Sequence, residues 1–307
     1  MLYAKTRKDT GMEKLNAEVF LKVVETGSFK KAADILNYTQ AGVSYIINAM
    51  EEEYGIKLFY REHGGVRLNE NGKELLPLIR QLDRDEHFIR EKINAIKGLS
   101  SGTVRVSTFN SVYIRWLPGI LRSFEEKYPG IKVEVVSCED NTENERMIFS
   151  RDVDCGFLVG KPSLEIESFD LVDDALMAAV SPDHPFAGRE TFPLDELPSQ
   201  PYIMISFDKS DFYDLLFRNG TGPNTKYIAD NEFAAMAMVS QGLGVSVFSR
   251  LLLRDPVFPV CALPFDPPVI RTLGIGTRSM KTCTAATKEF IRCTESWIRR
   301  NDASFSR

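Results

Sequence analysis

The sequence predicts an α/β protein in three parts: an N-terminal winged helix-turn-helix, a long linker helix, and a C-terminal half of two α/β lobes. Three observations carry this. Residues 28–59 read as helix, tight turn, helix, followed by a short two-stranded tip. From Glu70 to Lys97 one narrow apolar seam persists, interrupted only at Glu86. Beyond Leu99-Ser100-Ser101-Gly102 the pattern changes to alternating strands and helices, and does so twice. A chain of 307 residues, 43% hydrophobic and 26% charged, has room for two or three such domains.

The first eleven residues, MLYAKTRKDTG, are polar and aperiodic and read as a disordered extension; translation could begin at Met12 instead. They lack the apolar core of a signal peptide, and no apolar run approaches the ~20 residues a bilayer needs, so a cytoplasmic protein is expected. Five cysteines, Cys138, Cys155, Cys261, Cys283 and Cys293, form neither a metal-ligand spacing nor a disulfide framework, and no metal or cofactor is expected. The net charge of −5 is unevenly spread. Residues 1–99 hold 16 Lys+Arg against 15 Asp+Glu, and the remainder 22 against 28. Any nucleic-acid affinity in the N-terminal part must therefore come from a few well-placed cations, doubled by dimerisation.

A first helix over about Ala17 to Thr26 carries Val19, Phe20, Val23 and Val24 on one face and stops at Gly27. In the second, Ala32 and Ala33 permit close helix crossing, Ile35 and Leu36 supply apolar contacts, and Asn37-Tyr38 breaks the period. Thr39 is placed to cap a third helix from Gln40, because its hydroxyl can accept from an unpaired first-turn N–H. Val43, Ile47, Met50 and Tyr54 form its buried stripe, leaving Gln40, Ala41, Ser44, Tyr45 and Asn48 outside. Strands at Lys57 to Phe59 and Val66 to Leu68, around His63-Gly64-Gly65, make the wing. Arg61 and Arg67 flank its tip, either as phosphate or minor-groove contacts or as solvated surface arginines.

The residues of this stretch resemble the N-terminal signature of the LysR-type transcriptional regulators. The matching features are Gly27 to Phe29, Ala32-Ala33, Thr39-Gln40, Met50 to Glu52 and Gly55 to Arg61, all at the family's spacing. The resemblance implies DNA binding through Thr39, Gln40, Ala41, Ser44, Tyr45, Asn48, Arg61 and Arg67. Where many members carry a proline, an arginine and a polar residue on the recognition helix, this chain has Ala41, Tyr45 and Ile46. Arginine readout of guanine is thus absent at position 45. Tyr45 would donate to a phosphate or pack on a thymine methyl and Asn48 would read adenine, favouring A·T-rich half-sites.

Asn69 caps the long helix, whose seam is Leu75, Ile79, Leu82, Ile89, Ile93 and Ile96, interrupted at Glu86. Such a seam suits pairing with a second chain better than docking on its own domain, and the resemblance implies dimerisation at this place, with dimers pairing into tetramers in many members. Pro77 removes one backbone bond and should kink the helix near its start.

In the C-terminal half a strand at Thr103 to Thr108, a helix over Ser111 to Lys127 containing Pro118, a strand at Ile131 to Val136, a helix over Thr142 to Phe149 and a strand at Asp154 to Val159 call for an open parallel sheet. A second set follows: Ala175 to Ser181, Tyr202 to Ser206, a helix at Phe212 to Asn219, Lys226 to Ile228, a helix at Glu232 to Gln241, and Val245 to Phe248. The strand Arg271 to Gly276 and the helix Thr284 to Arg300 complete the chain. Family resemblance, carried by Leu117-Pro118, Tyr128-Pro129-Gly130, His184-Pro185-Phe186-Ala187 and Gln241 to Val245, implies an effector-binding domain of periplasmic-binding-protein type. The domains expected are residues 12–69, the linker helix 70–98, and 103–307, with lobe I at 103–173 and 268–300 and lobe II at 174–267.

Gly242 and Gly244 lack the ending of a phosphate loop, and no acid, base and nucleophile set surrounds His184, so an α/β enzyme is the weakest reading. A regulator sensing oxidation through Cys261 and Cys283 is the alternative; a ligand-responsive regulator leads. Its effector is expected beyond the strand ending at Thr108, where the N–H groups of the next helix and Thr108, Asn110 and Ser111 face a crevice. Ser206, Phe207 and Asp208 would face it from the other lobe, with Asn141 and Thr142 nearby. Asp208 would repel a dianion, which leaves a monocarboxylate or a polar neutral group. Thr108 and Ser111 could equally be helix caps.

Overall fold

A computed structural model describes residues 16–62, 65–96, 102–206, 216 and 222–302. The expected N-terminal extension, the wing tip His63-Gly64, Phe207 and Asp208 lie outside the described residues, as does the helix at Phe212 to Asn219 apart from helical Leu216. The chain divides into two compact units, residues 1–90 and 91–307. The boundary falls inside the linker helix rather than at its end.

The first unit contains α1 (Ala17–Thr26), α2 (Phe29–Leu36), α3 (Gln40–Tyr54), an antiparallel hairpin of β1 (Phe59–Glu62) and β2 (Gly65–Leu68), and the start of α4 (Glu70–Ile96). The stops and starts are chemical. Gly27 (φ 61°) and Asn37 (φ 57°) end α1 and α2 in the left-handed region, while the Ser28 and Thr39 hydroxyls accept from Lys31 N and Gly42 N to open α2 and α3. Asn69 Oδ1 caps α4 by accepting from Gly72 N at 2.8 Å. Phe20, Val23, Ala32, Ala33, Val43, Ile47 and Leu58 form the core.

Several expectations need correction here. Ile35 is exposed rather than packed, because the short α2 turns Phe29, Ala32, Ala33 and Leu36 toward the core and leaves Ile35 on the opposite face. Lys57 and Leu58 precede the strand; Leu58 is a core side chain in an irregular approach to β1. The seam of α4 also splits. Ile79 is 5% exposed and Leu75 packs beside it in the winged-unit core. Leu82, Ile89 and Ile93 are exposed and are joined by Leu78, which is 65% exposed. The Ile96 side chain lies outside the described residues. Pro77 sits within α4.

The second unit opens with β3 (Gly102–Thr108), α5 (Asn110–Arg115), α6 (Leu117–Lys127), β4 (Ile131–Ser137), α7 (Asn141–Phe149) and β5 (Cys155–Val159). The single helix expected over Ser111 to Lys127 is two, because Pro118 begins a new helix rather than sitting inside an old one. The chain continues through β6 (Glu167–Val180), β7 (Phe192–Pro193), β8 (Tyr202–Ile205), β9 (Thr225–Ala229), α8 (Glu232–Ser240), β10 (Ser246–Ser249), β11 (Cys261–Asp266), β12 (Ile270–Thr277) and α9 (Ala285–Asn301).

The sheet is mixed rather than purely parallel. β4, β3 and β5 are parallel neighbours, but β12 is antiparallel to both β5 and β6. The order is β4-β3-β5-β12-β6-β11-β7, with β10 also on β6, while β8 and β9 form a separate parallel pair. The fourteen-residue β6 therefore serves both lobes. Its first part pairs with β12 from Glu167 to Ala175, and its last part pairs with β10 and β11. The lobe I core is built around Val106, Trp116, Phe124, Phe157, Leu273 and Phe290. Lobe II has two smaller cores, one around Phe192, Tyr202, Val245 and Phe265 and one around Ile203, Ala235, Val239 and Phe248.

Candidate nucleic-acid interface and effector crevice

On α3 the stripe Val43, Ile47 and Met50 is buried, which forces the opposite face outward. Gln40, Ala41 and Tyr45 are exposed, Tyr45 at 74%, and Ser44 and Asn48 are half-buried beside them. An exposed tyrosine of that extent contributes nothing to the core. Thr39 is exposed, with its hydroxyl committed to the cap. The wing stands alongside: Ser28, Lys30, Gln40, Ser44, Arg61 and Val66 line one shared hollow. Val66 N donates to Gly27 O at 2.8 Å, so the α1–α2 turn holds β2 in place.

Neither wing arginine is simply solvated. Arg67 lies over the Tyr60 ring at 4.7 Å. Arg61 lies 5.0 Å over the Phe29 ring, its Nη2 donates to Asn48 Oδ1 at 2.5 Å, and it is 3.9 Å from Glu51 Oε2. The expected adenine contact from Asn48 thus meets a competitor for its oxygen. Glu51, which entered the sequence reading only within the Met50 to Glu52 step, is buried and accepts from Leu58 N at 2.8 Å, Phe59 N at 3.3 Å and Lys57 Nζ at 2.8 Å. Burial alone would raise its carboxyl; the Leu58 N–H, the Lys57 ammonium and the Phe59 N–H together hold it below the ordinary range. A glutamate inside the Met50 to Tyr54 run, one turn from an irregular strand entry, was the available signal.

In the second unit Thr108 and Ser111 are buried and Asn110 partly so. The first N–H of α5 is already taken: Asn110 N donates to Glu139 Oε1 at 2.9 Å. Asn110 Nδ2 donates to Glu232 Oε2 at 2.7 Å, joining lobe I to the first turn of α8 in lobe II. Ser111 Oγ accepts from Arg271 Nη2 at 3.2 Å. Arg271 is itself buried and pairs with Asp174 through two nitrogens at 3.0 and 2.9 Å. Thr108 Oγ1 donates to Phe109 O, so neither it nor Ser111 caps α5. Burial raises the Glu232 carboxyl, against its own backbone N–H, Asn110 and Arg271.

Asn141 does not face the crevice freely: its Oδ1 accepts from Val159 N and its Nδ2 donates to Val159 O, tying α7 to β5. Thr142 is exposed on the first turn of α7, with its N–H donated to the Asp140 cap. Ser206 is exposed at the end of β8, bonded through its N–H to Ala229 O. The structure therefore brings Asn110, Ser111, Glu139, Glu232 and Arg271 together, of which the last three were not foreseen. Arg271 in an otherwise apolar strand was the signal, since a buried charge demands a partner. Cys261 lies on β11 in lobe II, whereas Cys283 lies in lobe I with its thiol toward Met280 O; none of the five cysteines is in a disulfide. Among the described residues no group of acidic, histidine or cysteine side chains could hold a metal, and no helix is long and apolar enough to cross a membrane.

Residues 16–73 match the bacterial regulatory helix-turn-helix of the lysR family, and residues 97–299 match the LysR substrate binding domain. The chain belongs to the LysR family. It is a DNA-binding transcriptional regulator with an effector-binding domain, not an enzyme. It is 31% identical over 280 residues to the uncharacterized HTH-type transcriptional regulator YvbU of Bacillus subtilis (strain 168), covering 89% of this chain and 94% of that protein. It is 27% identical over 263 residues to the probable HTH-type transcriptional regulator LrrA of Synechococcus elongatus, covering 84% and 87%. Among solved structures, full-length OxyR from Pseudomonas aeruginosa shares the fold at TM-score 0.71 and 18% identity, covering 95% of this chain and 96% of that one. CbnR, described as a LysR family transcriptional regulator, does so at 0.67 and 18%, covering 92% and 99%.

Proposed function

We propose that this LysR-family regulator acts in the cytoplasm as a homodimer, which can pair further into a homotetramer, and that a small molecule between the two lobes changes how its recognition helices meet DNA. The observation that carries the DNA-binding surface is the outward face of α3, where Gln40, Ala41, Tyr45 and half-buried Ser44 and Asn48 adjoin the wing around one hollow. That face fits the major groove, with Arg61 and Arg67 beside the backbone. CbnR has been solved with its target DNA. The test is a selection from a random duplex library by the full-length protein. Enrichment of a paired half-site that Tyr45→Ala weakens supports the reading, and a failure to enrich any sequence removes it.

The exposed residues Leu82, Ile89 and Ile93, with Leu78, support dimerisation along α4. For the effector we propose a monocarboxylate in the crevice beside Thr108, Asn110, Ser111 and Ser206, with Phe207 and Asp208 contributing from lobe II and Asn141 and Thr142 at its edge. Glu139 supports this class, because a carboxylate already satisfies Asn110 N there, and an incoming one would replace it. A second negative charge would face Glu232 at close range. A thermal-shift screen of mono- and dicarboxylates tests the point, since a ligand at a hundred times its Kd stabilises by about 2.7 kcal/mol. Asn110→Ala should abolish the monocarboxylate shift while leaving ligand-free DNA affinity intact; an unchanged shift would relocate the pocket.

A further inference from the structure

We propose that the hollow between the start of α2, the start of α3 and the wing seats one DNA backbone phosphate, which Lys30 and Arg61 hold from two sides. The proposal rests on the reading above that α3 enters the major groove. The hollow has a volume of about 330 Å³, and its polar lining is Ser28, Lys30, Gln40, Ser44 and Arg61. No carboxylate is among the lining residues. Two cations thus face a space with no acidic side chain. A neutral base edge would leave both charges uncompensated, whereas a phosphodiester takes both.

The donors around the hollow are available. Lys30 is exposed and makes no ion pair among the described residues, and the side chains of Gln40 and Ser44 have no hydrogen-bond partner there. Arg61 is braced by the Phe29 ring at 5.0 Å, and its Nη2 donates to Asn48 Oδ1 at 2.5 Å, which leaves the other N–H donors of the guanidinium for a further acceptor. Glu51 Oε2 lies 3.9 Å from Arg61 but is bonded more closely to Lys57 Nζ at 2.8 Å, so most of the arginine's charge is left for an anion. The walls are already in place. Val66 N donates to Gly27 O at 2.8 Å, and a Cβ added at Gly65 would come within 2.8 Å of the same oxygen, so glycine lets the wing close onto the start of α2. A phosphate held here touches the recognition helix through Gln40 and Ser44 and the wing through Arg61 at once. It would set the register of the wing on the duplex relative to α3, a positioning contact rather than a base-reading one.

The test uses the full-length protein and the paired half-site enriched by selection. A library that enriches nothing removes the groove reading, and the proposal with it, a result distinct from those that follow. Methylphosphonate linkages, which remove the charge of one phosphate and leave the bases intact, are placed one at a time through a half-site. The wild type should lose about tenfold in affinity at one linkage. In Lys30→Gln that loss should shrink by about threefold or more while losses at the other linkages stay as they were, the signature of a coupled pair. The same variant should lower the slope of log Kd against log salt by about 0.9 per half-site, and Lys30→Arg should restore both. An unchanged melting temperature of Lys30→Gln confirms its fold. Losses that multiply at every linkage, or an unchanged salt slope, would show a lysine merely solvated beside the duplex and overturn the proposal. So would a scan with no sensitive linkage; if inorganic phosphate without DNA then gives a thermal shift that Lys30→Gln abolishes, the hollow belongs to a free anion instead.

Discussion

Glu51 shows how much one side chain can carry in a small winged unit. It is the buried acceptor for two backbone N–H groups and the counter-charge for Lys57, and it borders Arg61. Replacing it with alanine strands those N–H groups, and we expect Glu51→Ala to cost about 2–3 kcal/mol in urea unfolding of the winged unit. The pH dependence follows from its lowered carboxyl. A group depressed in the folded state stabilises fully above its unfolded value and loses that contribution as pH falls through the folded one. The winged unit should therefore weaken below about pH 4.3, and Glu51→Gln should flatten this acid limb in a pH series of melting curves. Arg271 poses the same question for the second unit, with the opposite charge. Arg271→Met leaves Asp174 buried without its partner and should cost about 3–5 kcal/mol, measured as the unfolding free energy of the α/β unit.

The helices of the winged unit were legible because their ends are written in side chains: Gly27 and Thr39 read as caps and Asn37 as a break, while the Ser28 cap, hidden in the Gly-Ser-Phe run, went unread. The second unit was less legible where a signal has two meanings. Pro118 is compatible with a helix interior or a helix start, and only packing of Trp116 and Leu117 into the lobe I core decides for the start. The opening of β6, Glu167-Ser-Phe-Asp, lacks the apolar alternation of a strand and was missed. In α4 periodicity alone cannot say which partner an apolar residue meets. Leu75 and Ile79 obey the same heptad as Leu82 and Ile89, yet the first pair is core and the second is exposed. The two sets should separate experimentally. Ile79→Ala should lower winged-unit stability by about 2–4 kcal/mol, whereas Leu82→Glu with Ile89→Glu should dissociate the proposed dimer in sedimentation while leaving the melting of the winged unit unchanged.

At the scale of the whole molecule, the crevice residues were foreseen in place and not in partnership. Asn110 and Ser111 were read as open donors, and sequence separation hid that Glu232 and Arg271, more than a hundred residues on, would claim them. The Asn110–Glu232 bond spans the lobes, and burial raises the Glu232 carboxyl. A carboxyl raised in the folded state contributes stability that is present below its unfolded value and lost as pH rises through the folded one. The α/β unit should thus weaken as pH climbs from the ordinary glutamate range toward neutrality. Glu232→Gln keeps an acceptor for Asn110 without the charge, so its melting temperature should be independent of pH across that window. β6 adds a consequence of its own. Because one uninterrupted strand supplies hydrogen bonds to β12 in one lobe and to β10 and β11 in the other, neither lobe can lose this strand without stripping pairing from its neighbour. Two lobes that look separable should therefore melt together, and a lesion in either should lower the melting temperature of both in calorimetry.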